Sequence, residues 1–238
     1  RQRQMCIETA YTRTTGIWQT VWLEFTPQSH IRSVQYYPNT ADGSVTIKAV
    51  VEGEGTFCAS AFYEGTECGS AMAETISGNV TVTIPLSEIH LWEAGAGRLY
   101  DLRLTFCEDK VSSYFGLREV KLDGYRFLIN GKSVFQRLIL DQGFYPDGIY
   151  TAPSDEALEN DIRLSMAAGF NGARLHQKVF EPRFLYHCDR LGYLAWGEMA
   201  NWGFDHSSYS GYEAFIPEWI QALLLYTSDA ADDLIGVD

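Results

Sequence analysis

Three short apolar runs in the second half of this 238-residue chain each end at a polar residue with a reactive side chain. Asp141 and Glu198 offer carboxylates, and His176 offers an imidazole. Side chains of these types at the ends of successive strands are typical of a binding or catalytic site. The three positions therefore predict a functional site at one end of a β/α unit.

Arg174 adds a positive charge to this set. It lies two residues before His176 in the second apolar run. Because side chains alternate between the two sides of a strand, Arg174 and His176 are expected to point the same way. Glu198, at the end of the third run, could then be a purely structural partner of Arg174.

Two amphipathic helical patterns separate the apolar runs. In the first, Ser154 is a favourable N-cap, and Leu158 and Ile162 begin an apolar stripe at four-residue spacing. In the second, Pro182 suits the first turn and Gly192 ends the helix. The alternation predicts parallel strands, which we place at residues 134–140, 173–175 and 193–196.

Residues 29–122 show a different pattern, in which short alternating runs are separated by turn-forming residues. The predicted strands are 31–37, 44–51, 56–63, 79–84, 99–106 and 112–122. Turns are predicted at residues 52–55 and 77–78. Strands at this density predict an antiparallel sandwich of immunoglobulin type. The pairs Asp123-Gly124 and Asn130-Gly131 then predict a hairpin before the β/α unit.

The amino-terminal part contains a further β-rich run at residues 17–23, which Pro27 stops. Alone this strand could not bury its tryptophans, so it is expected to dock on the residues that come after Pro27. Trp18, Trp22 and Trp92 are predicted to be core residues rather than ligand platforms.

The composition excludes several classes of partner. A net charge of −13 argues against nucleic acid and against an anionic membrane surface. No apolar run is long enough to span a bilayer. The five cysteines are scattered without a CxxC pair or a Cys/His cluster, so zinc is not expected. Free thiols are expected, and a disulfide between Cys58 and Cys68 on neighbouring strands is the alternative.

The segments at residues 13–24, 91–106, 112–143 and 169–202 resemble glycoside hydrolase family 2, and they occur in the order found in that family. Residues 13–24 (RTTGIWQTVWLE) resemble the end of its sugar-binding jelly-roll domain, and residues 91–106 resemble the end of its immunoglobulin-like domain. Residues 112–143 resemble the crossover into its (β/α)₈ barrel, and residues 169–202 resemble the second and third barrel strands. The family includes β-galactosidases, β-glucuronidases and β-mannosidases.

The resemblance implies a multidomain chain of the β plus α/β class. Residues 1–28 would end the jelly-roll domain, and residues 29–122 would form the immunoglobulin-like β-sandwich. Residues 123–222 would supply the first three βα units of a TIM barrel. Residues 223–238 depart from the family pattern and resemble the translation of a sequencing-library adapter, so we expect a non-native tail.

The implied chemistry is retaining hydrolysis of a β-glycoside, in which two carboxyl groups about 5–5.5 Å apart flank the bond. In the family, the acid/base is the Glu of an Asn-Glu pair after the fourth barrel strand, and the nucleophile comes after the seventh. The only Glu residues after Trp202 are Glu213 and Glu218, and neither is preceded by an Asn. We therefore expect both catalytic carboxylates to be absent and the fragment alone to be inactive.

The resemblance also assigns substrate-binding roles, each with an alternative. Asp141 would contact the sugar, or it would cap a loop. Arg174 would brace the site's carboxylates and His176 would face the sugar, or the two would form a satisfied pair inside the barrel. Glu198 would shape the pocket, or pair with Arg174, or both. Trp202 would stack on a sugar ring, or pack under a loop.

No cofactor and no metal are expected. Family members that bind magnesium carry a Glu and a His at the positions of Trp202 and Phe204. The expected partner is a β-linked oligosaccharide or glycoside. A non-catalytic carbohydrate-binding or structural β-sandwich protein is the alternative function. The sugar, the oligomeric state and the compartment, cytoplasmic or periplasmic, stay open.

Overall fold

The computed structural model describes residues 16–198 and 216–217. An immunoglobulin-like β-sandwich precedes the first three strands of a TIM-type barrel in this part of the chain. Within it, no helix is long and apolar enough to cross a membrane.

The sandwich is built from a five-stranded antiparallel sheet. Its strands are β1 (His30–Asn39), β2 (Ser44–Tyr63), β3 (Thr66–Pro85), β4 (Tyr100–Phe106) and β5 (Asp109–Phe115). The order is β1-β2-β4-β5, and β3 pairs along the other edge of β2. The first half of β2 pairs with β1 and the second half pairs with β4. Each half of β2 thus has its own neighbour on one edge, which is how a curled sheet closes over a core.

The predicted turns at residues 52–55 and 77–78 are wrong, because these residues lie inside β2 and β3. The ladder between β2 and β3 shifts register between Val51 and Glu54 without breaking. Gly53 has a φ of +103°, and its amide donates to the Ser77 hydroxyl at 2.9 Å. Turn-forming residues therefore make a bend in two paired strands. β3 pairs with β2 on both sides of this bend. The first half of β3, residues 66–76, was not predicted as a strand.

The core of the sandwich is formed by residues that alternate inward along β2, β3 and β4, together with Phe115 at the end of β5. The largest fully buried side chains there are those of Phe57, Tyr100, Phe106 and Phe115. The rings of Tyr100 and Phe115 are stacked with centroids 4.9 Å apart. Burial of these aromatic side chains, together with the aliphatic side chains of the same cluster, stabilises the sandwich.

An antiparallel three-stranded meander leads from the sandwich to the β/α unit. It contains the predicted hairpin. Its strands are β6 (Val120–Asp123), β7 (Arg126–Ile129) and β8 (Lys132–Ser133). Gly124 lies in the turn between β6 and β7. Asn130 and Gly131 form the second turn with φ angles of +51° and +73°. Two left-handed residues in succession are typical of a two-residue hairpin turn.

The β/α unit contains β9 (Leu138–Asp141), α1 (Asp155–Ala167), β10 (Gly172–Leu175), α2 (Pro182–Leu191) and β11 (Leu194–Gly197). The strands are parallel in the order β11-β10-β9. The first strand was predicted to begin at residue 134 and instead begins at Leu138. The side chain of Asn171 bonds the amide of Arg137 at 2.7 Å and the carbonyl of Phe135 at 2.9 Å, so a side chain replaces the neighbouring strand there.

The helix ends agree with the sequence signals. The Ser154 hydroxyl accepts a hydrogen bond from the amide of Ala157 and caps α1. Pro182 occupies the first turn of α2, and Gly192 closes this helix with a φ of +72°. Leu158 and Ile162 of α1 are buried against β10 in one apolar cluster. The helices therefore cover one side of the parallel sheet.

The predicted strand at residues 17–23 is wrong, since these residues are not paired with a strand in the described part of the chain. A strand needs a hydrogen-bonded neighbour, and residues 16–198 supply none for this segment. Trp22 is 69% exposed, contrary to the prediction that it is a core residue. Trp92 is buried as predicted. Trp18 is half-buried and packs on Tyr150, with ring centroids 4.7 Å apart.

Asp189 of α2 joins the β/α unit to the sandwich. Its carbonyl accepts from the indole nitrogen of Trp92 at 2.6 Å. Its carboxylate accepts from the Tyr114 hydroxyl at 3.2 Å and from the Arg118 guanidinium at 3.1 Å. The Arg118 and Asp189 side chains are only 13% and 18% exposed. This shielded contact fixes the orientation of α2 against β5.

Candidate active site

The register of the parallel sheet decides which side chains share a face. Leu140, Arg174 and Trp196 are in register, and so are Asp141, Leu175 and Gly197. Residues in register on parallel strands point to the same side. Leu175 is buried against the helices, so the Arg174 row lies on the opposite side, which is the inner side of a barrel.

The Glu198 carboxylate, just beyond the end of β11, accepts hydrogen bonds from three side chains. The guanidinium Nε of Arg174 donates to it at 2.7 Å, and the side-chain amide of Gln177 donates at 2.8 Å. The Nδ1 of His176 lies 3.1 and 3.2 Å from the two carboxylate oxygens. The structure thus brings together three of the predicted site residues, Arg174, His176 and Glu198. With Gln177 they form what we call the Glu198 cluster.

The electrostatics of the cluster keep Glu198 ionised. Burial raises the pKa of Glu198, but hydrogen bonds from Arg174, Gln177 and His176 outweigh it and lower the pKa to about 2. Hydrogen bonds to a carboxylate favour its charged form. Glu198 is therefore a fixed negative charge at neutral pH.

The carboxylate also sets the tautomer of His176. An ionised carboxylate only accepts hydrogen bonds, so the Nδ1 that faces Glu198 carries the hydrogen. In the neutral ring, Nε2 is then the acceptor. The His176 side chain is only 14% exposed, so the ring is held by its surroundings.

Asp141 is placed differently from the other predicted site residues. It is in register with Leu175, on the helix side of the sheet. Its carboxylate accepts from the amide of Gly143 at 2.8 Å, which is a loop-capping contact. Burial raises the pKa of Asp141, and the Gly143 amide opposes this shift. The structure does not place this carboxylate in the Glu198 cluster, and its contact with a sugar stays a prediction.

Trp202 lies outside the described residues. Glu213 and Glu218 do as well. Within residues 16–198 and 216–217, no group of three or more His, Cys, Asp or Glu side chains is arranged to hold a metal ion.

Gln177 is the cluster member that sequence reasoning missed. It adopts a left-handed backbone with a φ of +55°, which is uncommon for a residue other than glycine. This conformation directs its amide to Glu198. No apolar period or turn motif marks such a residue in advance, and only its position directly after His176 could have drawn attention to it.

The chain is similar in sequence to a known protein family and to several of its members. A family model described as "Glycosyl hydrolases family 2" matches residues 29–118. A β-galactosidase from Arthrobacter sp. is 27% identical over 143 residues, which are 59% of this chain and 14% of that protein. A putative β-glucuronidase from Formosa agariphila is 24% identical over 199 residues, which are 77% of this chain and 24% of that protein. The chain therefore spans less than a quarter of the length of these relatives.

Solved structures share the fold. β-Glucuronidase 3 of Bacteroides uniformis has a TM-score of 0.73 at 21% identity, covering 86% of this chain and 28% of that one. A β-glucuronidase of Ruminococcus gnavus in complex with D-glucuronic acid has a TM-score of 0.75 at 14% identity, covering 86% of this chain and 36% of that one.

Proposed function

Because the chain belongs to family 2 of the glycosyl hydrolases, we propose that it is part of a retaining β-glycosidase that hydrolyses O-glycosidic bonds. Residues 29–122 are its immunoglobulin-like domain, and residues 123–222 begin its catalytic barrel. Residues 1–28 end the preceding jelly-roll domain. The single observation that supports this most is the Glu198 cluster at the carboxyl ends of parallel strands, where barrel enzymes have their active sites.

Glu198 acts in this proposal as a support for the site and not as its acid/base. A carboxylate with three donors and a pKa of about 2 is a weak base and carries no proton to give at neutral pH. Its charge holds the Arg174 guanidinium and the His176 ring in fixed positions. The His176 ring, held by Glu198, is proposed to face the sugar.

The carboxyl pair that cleaves the bond is proposed to come from later barrel strands. A retaining mechanism needs an acid/base and a nucleophile about 5–5.5 Å apart. Among the described carboxylates near the strand ends, Glu198 accepts a hydrogen bond from the Arg174 guanidinium, and Asp141 accepts one from the Gly143 amide. The 238-residue chain alone is therefore expected to be inactive.

The experiment compares this chain with the full-length protein that contains it, using nitrophenyl β-D-galactoside and nitrophenyl β-D-glucuronide. Two substrates are needed because the relatives are β-galactosidases and β-glucuronidases. We expect the full-length protein to release nitrophenol from one of them and the 238-residue chain from neither. Turnover by the chain alone would refute its inactivity. A full-length protein that binds these glycosides without cleaving them would support the non-catalytic alternative.

A further inference from the structure

Lys178 is a buried lysine that lies two residues beyond His176. Its side chain is 1% exposed. The ammonium donates to the carbonyl oxygens of Gly143 and Tyr150, each at 2.9 Å. Since a buried charge is costly unless it is paired and hydrogen-bonded, the contacts of this ammonium must compensate for its burial.

Aromatic rings and one carboxylate complete the surroundings of the ammonium. The rings of Trp18, Tyr150 and Phe180 have their centroids 4.5, 4.4 and 4.9 Å from Nζ. The carboxylate of Glu181 lies 3.8 Å away. Burial lowers the pKa of Lys178, and the charges of Glu181 and Asp141 oppose this shift. Cation–π contacts gain strength when the cation is desolvated, as it is here.

Lys178 closes a ring of hydrogen bonds between the loops that follow β9 and β10. The amide of His176 donates to the carbonyl of Asp141 at 2.8 Å. The carboxylate of Asp141 accepts from the amide of Gly143 at 2.8 Å. The carbonyl of Gly143 then accepts from Lys178. Residues 141–143 and 176–178 are thereby held as one unit.

The fit around Gly143 is tight. Its φ is +61°, and a Cβ added there would lie 2.6 Å from the Lys178 ammonium. A glycine is therefore required both by the backbone conformation and by the closeness of the lysine.

The left-handed Gln177 connects this ring to the Glu198 cluster. At a φ of +55° the backbone turns so that the Gln177 amide reaches Glu198, while the next side chain, Lys178, reaches Gly143. A left-handed residue other than glycine costs roughly 1–2 kcal/mol, so it persists only when contacts on both sides hold it. Glu198 supplies one contact and Lys178 supplies the other.

Trp18 and Gln19, which precede the sandwich, also bond to the loops that follow β9 and β10. The Thr151 hydroxyl donates to the carbonyl of Trp18 at 2.8 Å, and the Gln19 amide donates to the carbonyl of Val179 at 3.1 Å. Trp18 thus covers Lys178 while its own backbone is bonded to the loop after β9.

We propose that Lys178 is a positioning residue for the proposed glycosidase site. It fixes the loop after β9 and holds Gln177 and His176 in the orientation in which they contact Glu198. The catalytic meaning rests on the proposed function, whereas the role in holding the loops is measurable in the 238-residue chain itself.

The first experiment replaces Lys178 with Met in this chain, which keeps the apolar stem and removes the charge. Hydrogen exchange of the Gly143 and His176 amides is expected to accelerate at least about tenfold. The Nδ1–H resonance of His176 is expected to be lost. Lys48→Met is the matched control, because Lys48 is exposed and lies over a single ring, that of Tyr37, at 4.2 Å. The control should change neither measurement.

Gly143→Ala provides a second test of the same loop while Lys178 is retained, because the left-handed backbone strains an alanine and its Cβ would lie 2.6 Å from the Lys178 ammonium. It should reproduce both effects of Lys178→Met. Exchange within about twofold of the parent chain in both variants, with the His176 resonance retained, would overturn the proposal. Loss of protection throughout α1 as well would assign Lys178 to general stability and would also overturn a positioning role.

In the full-length protein, Lys178→Met is expected to lower kcat at least about tenfold with little change in KM, because misplaced site groups weaken the transition state more than ground-state binding. An unchanged kcat despite loosened loops would overturn the catalytic part. Absence of glycosidase activity in the parent full-length protein would instead count against the proposed function and leave the exchange results to decide the loop role.

Discussion

Glu198→Gln is expected to remove a pH-dependent part of the stability of the parallel sheet. Arg174, Gln177 and His176 all donate to the Glu198 carboxylate. Burial raises the pKa of Glu198, yet these donors lower it from an ordinary value of 4.5 to about 2. A neutral amide at position 198 cannot reproduce this charge-dependent stabilisation, although it can still accept a hydrogen bond.

The lowering of the Glu198 pKa sets the size of this stabilisation. A pKa lowered from 4.5 to about 2 corresponds to about 3 kcal/mol of preference for the ionised form in the folded state. The Arg174 side chain is 55% exposed, so solvent screening reduces the contribution. We expect about 1–2 kcal/mol at neutral pH after this reduction.

The sign of the pH dependence is fixed by the lowered pKa. Because the folded state has the lower pKa, the stabilisation is fully present above the unfolded pKa. It is lost as the pH falls from 4.5 towards 2. The parent chain should therefore lose its advantage over Glu198→Gln between about pH 5 and pH 2.

Native-state hydrogen exchange of amides in β10 and β11 measures this difference locally. Parent and variant are compared with each other at about pH 7 and again at about pH 3, so that titration of other carboxylates cancels. Glu52→Gln is the matched control, since Glu52 pairs with Arg32 while 51% of its side chain is exposed. A difference between parent and Glu198→Gln that is equal at both pH values would refute the reasoning.

Two further outcomes are expected. Asp189→Ala should lower the free energy of unfolding by about 3 kcal/mol, because it removes the carboxylate that the shielded Arg118 guanidinium contacts. Urea denaturation tests this against Tyr114→Phe, which removes one hydrogen bond and should cost about 1 kcal/mol. Asp141→Asn should be at least as stable as the parent at neutral pH, because burial raises the pKa of Asp141 and disfavours its charge. The advantage should shrink as the pH falls through that pKa; exchange of the Gly143 amide at several pH values would reveal the opposite trend if the reasoning is wrong.

The sequence predicted the elements whose signals are local. Ser154, Pro182 and Gly192 act within one helical turn of their own positions, and the helices end where these residues indicate. Arg174 and His176 were expected on one face because strand alternation is a local rule. Glu198 as a partner of Arg174 was foreseeable from the adjacency of consecutive strands.

Features that depend on distant partners could not be predicted in the same way. Gly53 has turn chemistry, but pairing with β3 converts it into a bend. The strand expected at residue 134 starts later because Asn171, 34 positions away, supplies its own side chain to Arg137. The burial of Lys178 depends on three separate segments, and nothing in the residues around it indicates that these meet.

The bend at Gly53 has a mechanical consequence for the sandwich. The long pair β2 and β3 continues through the bend with a register shift. The strand that pairs with β1 is therefore the strand that pairs with β4. Two separate sheets could be peeled from one another by breaking side-chain contacts alone. Here β2 belongs both to the part of the sheet that contains β1 and to the part that contains β4, so a pulling force on one part is transmitted to the other through the backbone of β2. The two parts should therefore unfold together in a single rupture event.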